Sequence, residues 1–246
     1  MATTFFPAVR PLVALAIGLL GASFAFAEDA LIRKNIAERL PDFPKIDEIA
    51  KTPIPGLFEL RIGTDIFYTD ENGNYLVEGQ MIDTRSRANL TQARIDKLTQ
   101  IDFASLPLKD AIVWKQGKGT RKLVVFADPN CGYCKKFERE LVQVKDVTVY
   151  TFLFPILGGD SPEKSRNIWC AKDNTAAWRD WMIDGTPPLK SMGQCDTAAL
   201  QRNVALGRKH KVNGTPALVF EDGKRVPGAM APADIEKQLV ASRKNG

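Results

Sequence analysis

Two cysteines separated by two residues, Cys131 and Cys134, are the side chains in this sequence best suited to chemistry. They follow an apolar stretch at 123–127 and a turn at Pro129, and they precede a helical pattern at 135–144. This strand–turn–helix order places Cys131 at a helix N-terminus, where unpaired backbone N–H groups and the helix dipole stabilise a thiolate. We therefore predict that Cys131 is an exposed nucleophile with a lowered pKa. Cys134, one helical turn later, is the predicted resolving thiol.

The two remaining cysteines, Cys170 and Cys195, have three interpretations. They could complete a zinc site with the first pair, but the sequence has no second short C-x-x-C, and its single histidine, His210, lies in a basic run expected at the surface. They could form a second redox pair, but no C-x-x-C at a helix start surrounds them. We favour a structural disulfide, which in the chain-entropy model stabilises the fold by about 3 to 4 kcal/mol.

A third feature is the sequence Gly214-Thr215-Pro216, which directly precedes an apolar strand at 217–220. Proline at the head of a strand is compatible with a simple edge position. A cis Thr215–Pro216 bond beside the cysteines would instead leave the Thr215 backbone free to pair with a substrate chain. We favour the cis form. The predicted substrate contacts are Thr215, Pro216 and Tyr133, which lies between the two cysteines.

The elements that must position these residues begin with a small block at 28–88. Its pattern predicts a helix at 29–40 and strands at 57–62, 66–69 and 75–77. A block of this size with few apolar residues and no cysteine lacks the usual supports of an independent domain. Pairing with a second copy through an exposed strand edge would supply the missing burial.

A linker helix is predicted within residues 89–108, and a second domain follows at 109–246. Apolar runs in this second domain predict buried strands at 123–127 and 147–154. The tryptophan-rich stretch that contains Cys170 and Cys195 reads as a helical insertion at about 160–205.

Residues 1–27 have the pattern of a cleaved signal peptide. Arg10 precedes an uncharged run at 11–21, and Ala25-Phe26-Ala27 forms a small-residue cleavage site. The apolar run is too short for the alternative, a retained membrane anchor. The net charge of +5 comes from basic residues scattered among 29 acidic ones, which argues against a nucleic-acid-binding protein. We expect export into an oxidising compartment, where disulfides persist.

Four motifs, in order and at suitable spacing, resemble the thioredoxin superfamily and, within it, the periplasmic DsbC-type disulfide isomerases and their DsbG-like relatives. They are FADPNCGYC (126–134), IWCAKD (168–173), GTPA (214–217) and VPG (226–228). The resemblance covers essentially all of the mature chain. It implies an α+β N-terminal dimerisation domain, a linker helix and an α/β thioredoxin-like domain with a helical insertion. It also implies a V-shaped homodimer with a shared apolar cleft. A membrane reductase of the DsbD kind is implied as the partner that keeps Cys131 and Cys134 reduced.

The implied activity is isomerisation or reduction of incorrect disulfides in exported proteins through a mixed disulfide at Cys131, with no cofactor and no nucleic acid. One departure concerns Val125, which stands six residues before Cys131, where the superfamily often has a buried acid. Proton transfer must then use water or another group, and Asp128 is more typical of a turn residue. The alternatives are a net thiol oxidant or specialised reductase of the same family, and a holdase chaperone with secondary redox activity.

Overall fold

The computed structural model describes residues 20–243, with side chains from Glu28 onward. The described residues divide into two compact units, with the boundary between Ile95 and Asp96. The predicted signal peptide lies outside the described residues, apart from the main chain after position 19. Within residues 20–243, no helix combines the length and apolarity needed to cross a membrane.

The first unit is a four-stranded antiparallel sheet with one long helix. The strand order is β1-β2-β3-β4, so β1 and β4 form its edges. Phe58 and Leu60 alternate along β2 and pack with Ile32 and Ile36 of the helix, which gives the unit its core. The elements are α1 (Leu20–Arg39), β1 (Glu48–Lys51), β2 (Leu57–Ile62), β3 (Asp65–Asp70), β4 (Leu76–Glu78), β5 (Ile82–Asp83), β6 (Ala88–Asn89) and α2 (Leu90–Leu98).

The helices and the first strand of this unit differ from the sequence prediction. The helix α1 already includes Leu20, the first described residue, whereas the predicted helix starts at 29. The strand β1 was not predicted, because its four residues show no alternation of buried and exposed positions. The helix α2 ends at Leu98, ten residues before the end of the predicted linker at 89–108. The division between the two units falls within this helix.

The second unit is a five-stranded mixed sheet with helices on its faces. The strand order is β11-β10-β8-β9-β7, in which β8 and β9 are parallel and the other neighbours are antiparallel. Its elements are β7 (Ile112–Gln116), β8 (Arg121–Ala127), α3 (Gly132–Leu141), β9 (Val147–Leu153), α4 (Ser161–Trp169), α5 (Asn174–Arg179), a π-helical turn (Asp180–Asp184), α6 (Ala198–Lys209), β10 (Ala217–Phe220), β11 (Arg225–Pro227) and α7 (Pro232–Ser242).

The central strand β8 explains the continuous apolar run that the sequence shows. Leu123 and Val125 lie in one hydrophobic cluster, and Val124 and Phe126 lie in another. Successive side chains of a strand point to opposite faces, so both faces of this sheet are covered. The cluster that contains Val125 also contains Cys131 and Cys134, so the C-x-x-C motif lies against the core.

The second domain opens with β7, a strand that the sequence analysis did not predict. Ile112 and Trp114 are buried, whereas Val113 between them is exposed. This alternation is typical of a half-buried strand, and the apolar run at 111–114 that signals it is short. The predicted insertion is helical at 161–169 and 174–184, with a turn between the two parts, and the stretch 185–197 that follows contains no helix.

Candidate active site

The loop before the C-x-x-C motif is organised by Asp128, which is fully buried. Its carboxylate accepts hydrogen bonds from the backbone N–H groups of Asn130 (2.8 Å) and Leu157 (2.9 Å) and from Oγ of Ser161 (2.7 Å). The backbone carbonyl of Asp128 accepts from the N–H of Cys131 at 3.0 Å. Asp128 is therefore a turn residue that holds the loop in shape, as its sequence context suggested.

Cys131 is the N-cap residue of α3, which begins at Gly132, earlier than the predicted start at 135. Its Sγ accepts a hydrogen bond of 3.2 Å from the backbone N–H of Cys134, as the side chain of a capping residue does. The prediction that Cys131 is exposed is wrong, since 5% of its surface is accessible. The reason is its position between the helix start and the segment that contains Thr215.

The environment of Cys131 lowers its pKa to about 6, in the predicted direction. The largest cause is a hydrogen bond with the Cys134 side chain. Burial opposes the shift, but the Thr215 side chain and the N–H groups of Cys134 and Tyr133 lower the pKa further. At pH 7 a thiol with this pKa is about nine-tenths ionised, against a few per cent for an ordinary cysteine.

Cys134 has the opposite electrostatic character. It is 1% exposed, and burial raises the pKa of its thiol far above the ordinary value. Its interaction with Cys131 raises the pKa further, because two adjacent thiols cannot both ionise at low energy. The pair therefore consists of one thiolate that can attack and one thiol that stays protonated until a base accepts its proton.

Thr215 brings the third predicted feature next to the cysteines. The Thr215–Pro216 peptide bond is cis. The Cys131 thiol donates to the backbone carbonyl of Thr215 at 3.2 Å. A thiolate has no proton to donate, so ionisation of Cys131 leaves this carbonyl available to another donor. Tyr133, two residues after Cys131 in the sequence, is 72% exposed, whereas Pro216 is buried.

Trp181, in the helical insertion, connects that insertion to the active-site loop. Its Nε1 donates to the backbone carbonyl of Pro129 at 2.6 Å. The Nζ atoms of Lys135 and Lys164 lie 3.6 and 4.5 Å from its ring centroid. Lys164 also donates to Oδ1 of Asn130 at 2.8 Å. The sequence analysis did not identify Trp181 as a residue that supports the site.

Cys170 and Cys195 form a disulfide with a Cα–Cα distance of 5.8 Å. Next to it, Nε1 of Trp169 donates to the carbonyl of Asp196 at 2.9 Å. A disulfide consumes both thiolates, so this pair cannot complete a zinc site. Among residues 20–243, no three His, Cys, Asp or Glu side chains are grouped as metal ligands. His210 is half-buried at the end of α6.

Comparisons with known proteins agree with this geometry. Residues 108–242 match the family model of a thioredoxin-like domain, and residues 23–92 match that of the disulfide bond isomerase protein N-terminal domain. The probable thiol:disulfide interchange protein DsbC of Bordetella parapertussis is 43% identical over 208 residues, which cover 85% of this chain and 73% of the relative. The chain belongs to the DsbC family of thiol:disulfide interchange proteins. The resemblance and the fold class inferred from sequence are thereby confirmed.

Two further relatives extend the comparison. The thiol:disulfide interchange protein DsbC of Escherichia coli K12 is 29% identical over 225 residues, which cover 90% of this chain and 91% of the relative. The crystal structure of a disulfide interchange protein from Neisseria gonorrhoeae has a TM-score of 0.52 and 37% identity, and it covers 57% of this chain and 98% of that one. This DsbC-family chain is accordingly a thiol–disulfide oxidoreductase.

Alkylation of the reduced protein by iodoacetamide should modify Cys131 with a half-maximal rate near pH 6, because its pKa is lowered to about 6. Cys134 should stay unmodified under the same conditions, since it is buried and its pKa is raised. The alkylation is run at about pH 4 to 9 and quenched after set times, and peptide mass spectrometry then measures both rates. In guanidinium both thiols should react with an ordinary pKa of about 8.5, and the same value for Cys131 in buffer would contradict the argument.

Proposed function

We propose that this protein is a disulfide isomerase and reductase that rearranges incorrect disulfides in exported proteins through a mixed disulfide at Cys131. The observation that carries the proposal is the contrast between the two thiols. Cys131 caps α3 with a lowered pKa, whereas Cys134 is buried with a raised one. A chain of the DsbC family with this contrast has one attacking and one resolving sulfur.

In the proposed reaction, the Cys131 thiolate attacks one sulfur of a substrate disulfide. A bond forms between that sulfur and Cys131, the substrate disulfide breaks, and the other substrate sulfur leaves as a thiolate. This thiolate can attack a different substrate disulfide or the mixed disulfide itself, which completes a rearrangement and returns Cys131 unchanged. If the intermediate stalls, Cys134 attacks Cys131 and releases a reduced substrate, and the enzyme is left oxidised.

The proposed substrate contacts are Thr215, Pro216 and Tyr133. The carbonyl of Thr215 lies 3.2 Å from Sγ of Cys131, and it loses its thiol donor when Cys131 ionises. An extended substrate backbone can then donate an N–H group to it, which aligns the substrate sulfur with the thiolate. The exposed ring of Tyr133 supplies an apolar surface at the same position.

We assign dimerisation to residues 28–88, the linker to 89–108 and catalysis to 109–246, with the insertion at about 160–205. The edge strand β4 supports pairing with a second copy, because all three of its residues are exposed. Tyr75, directly before it, is 73% exposed, and Val77 within it is 50% exposed. A homodimer would present two catalytic domains to one substrate.

The proposed location is the periplasm, reached through a signal peptide at 1–27 that is cleaved on export. There the oxidised C-x-x-C pair requires a reductant, and a membrane thiol reductase of the DsbD kind is the proposed partner. Binding of unfolded chains by the dimer is a proposed accompanying chaperone activity. The chemistry of the two sulfurs needs no cofactor.

The test is the recovery of activity from scrambled ribonuclease in a redox buffer. We expect the protein to restore activity and a Cys131→Ala, Cys134→Ala double variant to restore none. Rapid oxidation of reduced ribonuclease without recovery of the scrambled enzyme would contradict isomerisation and indicate a net oxidant. Suppression of aggregation by the double variant, equal to that of the parent, would measure chaperone activity separately.

A further inference from the structure

Glu138 is a buried acid that the reaction described above does not use. It lies on α3 and is 1% exposed. Its Oε1 accepts a hydrogen bond of 2.8 Å from Nε1 of Trp178, which is fully buried. Within residues 20–243, no group donates a hydrogen bond to its Oε2. An unpaired polar atom in a core costs about 1 to 3 kcal/mol, so a purely structural role leaves this oxygen unexplained.

Glu138 lies one helical turn after Cys134 on the same face of α3. The buried residues of this helix are Cys134, Phe137, Glu138 and Leu141, which together form its core-facing stripe. Side chains four positions apart in a helix are neighbours, and each tilts toward the helix N-terminus. Glu138 and Cys134 are therefore neighbours on this stripe.

Cys134 requires a proton acceptor before it can attack the mixed disulfide, because burial holds its thiol in the protonated form. The described residues include three buried acids, Asp110, Asp128 and Glu138. Both oxygens of Asp110 bind the Arg202 guanidinium at 2.7 Å. Both oxygens of Asp128 are occupied by donors from its own loop and from α4. Glu138 alone among these three has an oxygen without a donor.

We propose that Glu138 is the proton acceptor for Cys134 when the mixed disulfide is resolved. The inference rests on the proposed function. The Glu138 carboxylate takes the thiol proton of Cys134, and the resulting thiolate attacks the sulfur of Cys131. The Cys131–Cys134 bond forms, and the bond from Cys131 to the substrate breaks. The substrate leaves as a thiolate that takes a proton from solvent, and two electrons pass from the enzyme dithiol to the substrate.

The position on the helix and the electrostatics suit this transfer. Residues one helical turn apart on the same face, about 5.4 Å along the axis, can pass a proton between their side chains directly or through one water. Burial raises the pKa of Glu138 to about 7, while the Trp178 hydrogen bond and the charge of Arg179 hold it lower than burial alone would. An acid with this pKa both accepts and releases protons near neutral pH. Besides Arg179, the charged or titratable groups on its own helix and on the elements packed against it are Tyr133, Cys134, Lys135, Lys136, Arg139 and Glu140 on α3, and Asp180 and Asp184 in the π-helical turn.

Stopped-flow reduction of the aromatic disulfide dithiobis(nitrobenzoate) by the purified protein separates the two thiols. Attack by Cys131 releases one coloured thiolate, and attack by Cys134 on the resulting mixed disulfide releases the second. In Glu138→Gln, the first phase should be unchanged and the second at least about a hundredfold slower at neutral pH, the lower end of the range that loss of a general base produces. The second phase of the parent should also have an inflection near pH 7 that the variant lacks.

Trp178→Phe is the matched control, because it removes the indole donor and keeps the carboxyl group. Its second phase should keep an inflection, displaced to higher pH. The hydrogen bond from Trp178 lowers the pKa of Glu138, so the pKa rises when this bond is removed. Equal second phases in the parent and Glu138→Gln across about pH 5 to 9 would overturn the assignment. Absence of the first phase in the parent would instead overturn the proposed function.

Glutamine keeps an oxygen that can accept from Trp178, so Glu138→Gln preserves this packing contact. If the variant nonetheless fails to fold, the parent protein supplies the test. The inflection of its second phase must coincide with the titration of the Glu138 carboxyl carbon followed by NMR. A second phase without an inflection where that carbon titrates would overturn the assignment.

Discussion

Replacing Cys131 by serine should abolish both isomerisation and reduction of disulfides, with a loss of at least about a thousandfold, as expected when the nucleophile of a covalent mechanism is removed. The fold should survive, because serine is a preferred N-cap residue and its Oγ can accept from the Cys134 N–H as Sγ does at 3.2 Å. Recovery of scrambled ribonuclease and reduction of insulin measure the two activities. The thermal unfolding midpoint measures the fold.

Cys134→Ser is the informative companion to this variant. It should lose reduction but retain part of the isomerisation, because a substrate thiol can resolve the mixed disulfide without Cys134. Mixed disulfides at Cys131 should accumulate and appear on non-reducing gels. Lys136→Gln, an exposed position on the same helix, is the control and should behave like the parent. Retention of more than about a tenth of the activity in Cys131→Ser would contradict the assignment of the nucleophile.

Removal of the second cysteine pair should have the largest effect on stability. The bond between Cys170 and Cys195 closes a loop with a sequence separation of 25, for which the chain-entropy model gives about 3.5 kcal/mol. For a domain of this size, that loss lowers the unfolding midpoint by about 7 to 14 °C. Calorimetry of a Cys170→Ala, Cys195→Ala double variant checks this value. The double change avoids a lone cysteine that could pair with Cys131.

The control is the reactivity of Cys131, which should be unchanged in the double variant at temperatures where it is folded. The hydrogen bonds from Trp169 to Asp196 and from Ser191 to Asn167 also hold the loop, at 2.9 and 3.0 Å. A midpoint change under about 2 °C would mean that these contacts order the loop without the disulfide.

Much of the catalytic domain could be predicted from sequence because its central elements are continuous in the chain. The apolar run that became β8, the C-x-x-C motif and the start of α3 are adjacent in sequence, so their order alone placed Cys131 at a helix N-terminus. The strand β10 was likewise predicted with its observed bounds, 217–220. Buried strands are recognised reliably when every residue is apolar.

Two short edge strands were not predicted, because pairing with the partner strand sets the environment of their residues. Four-residue β1 pairs with β2, seven to thirteen positions later, and β7 pairs with β9, more than thirty positions later in the chain. Neither segment has a strong local pattern, and pairing decides its conformation. The burial of Cys131 was missed for a related reason, since Thr215 contacts it from a sequence separation of 84.

The sequence by itself determined the proposed reactive pair, the second pair of cysteines, the two-domain order and the family, because each is encoded by residue types at short spacing. Only the tertiary structure decided how protons are held at the site. The lowered pKa of Cys131, the raised pKa of Cys134 and the half-satisfied carboxyl of Glu138 all arise from burial and from donors on separate elements. Local sequence does not encode these quantities, because the desolvation of a group depends on every segment that packs around it.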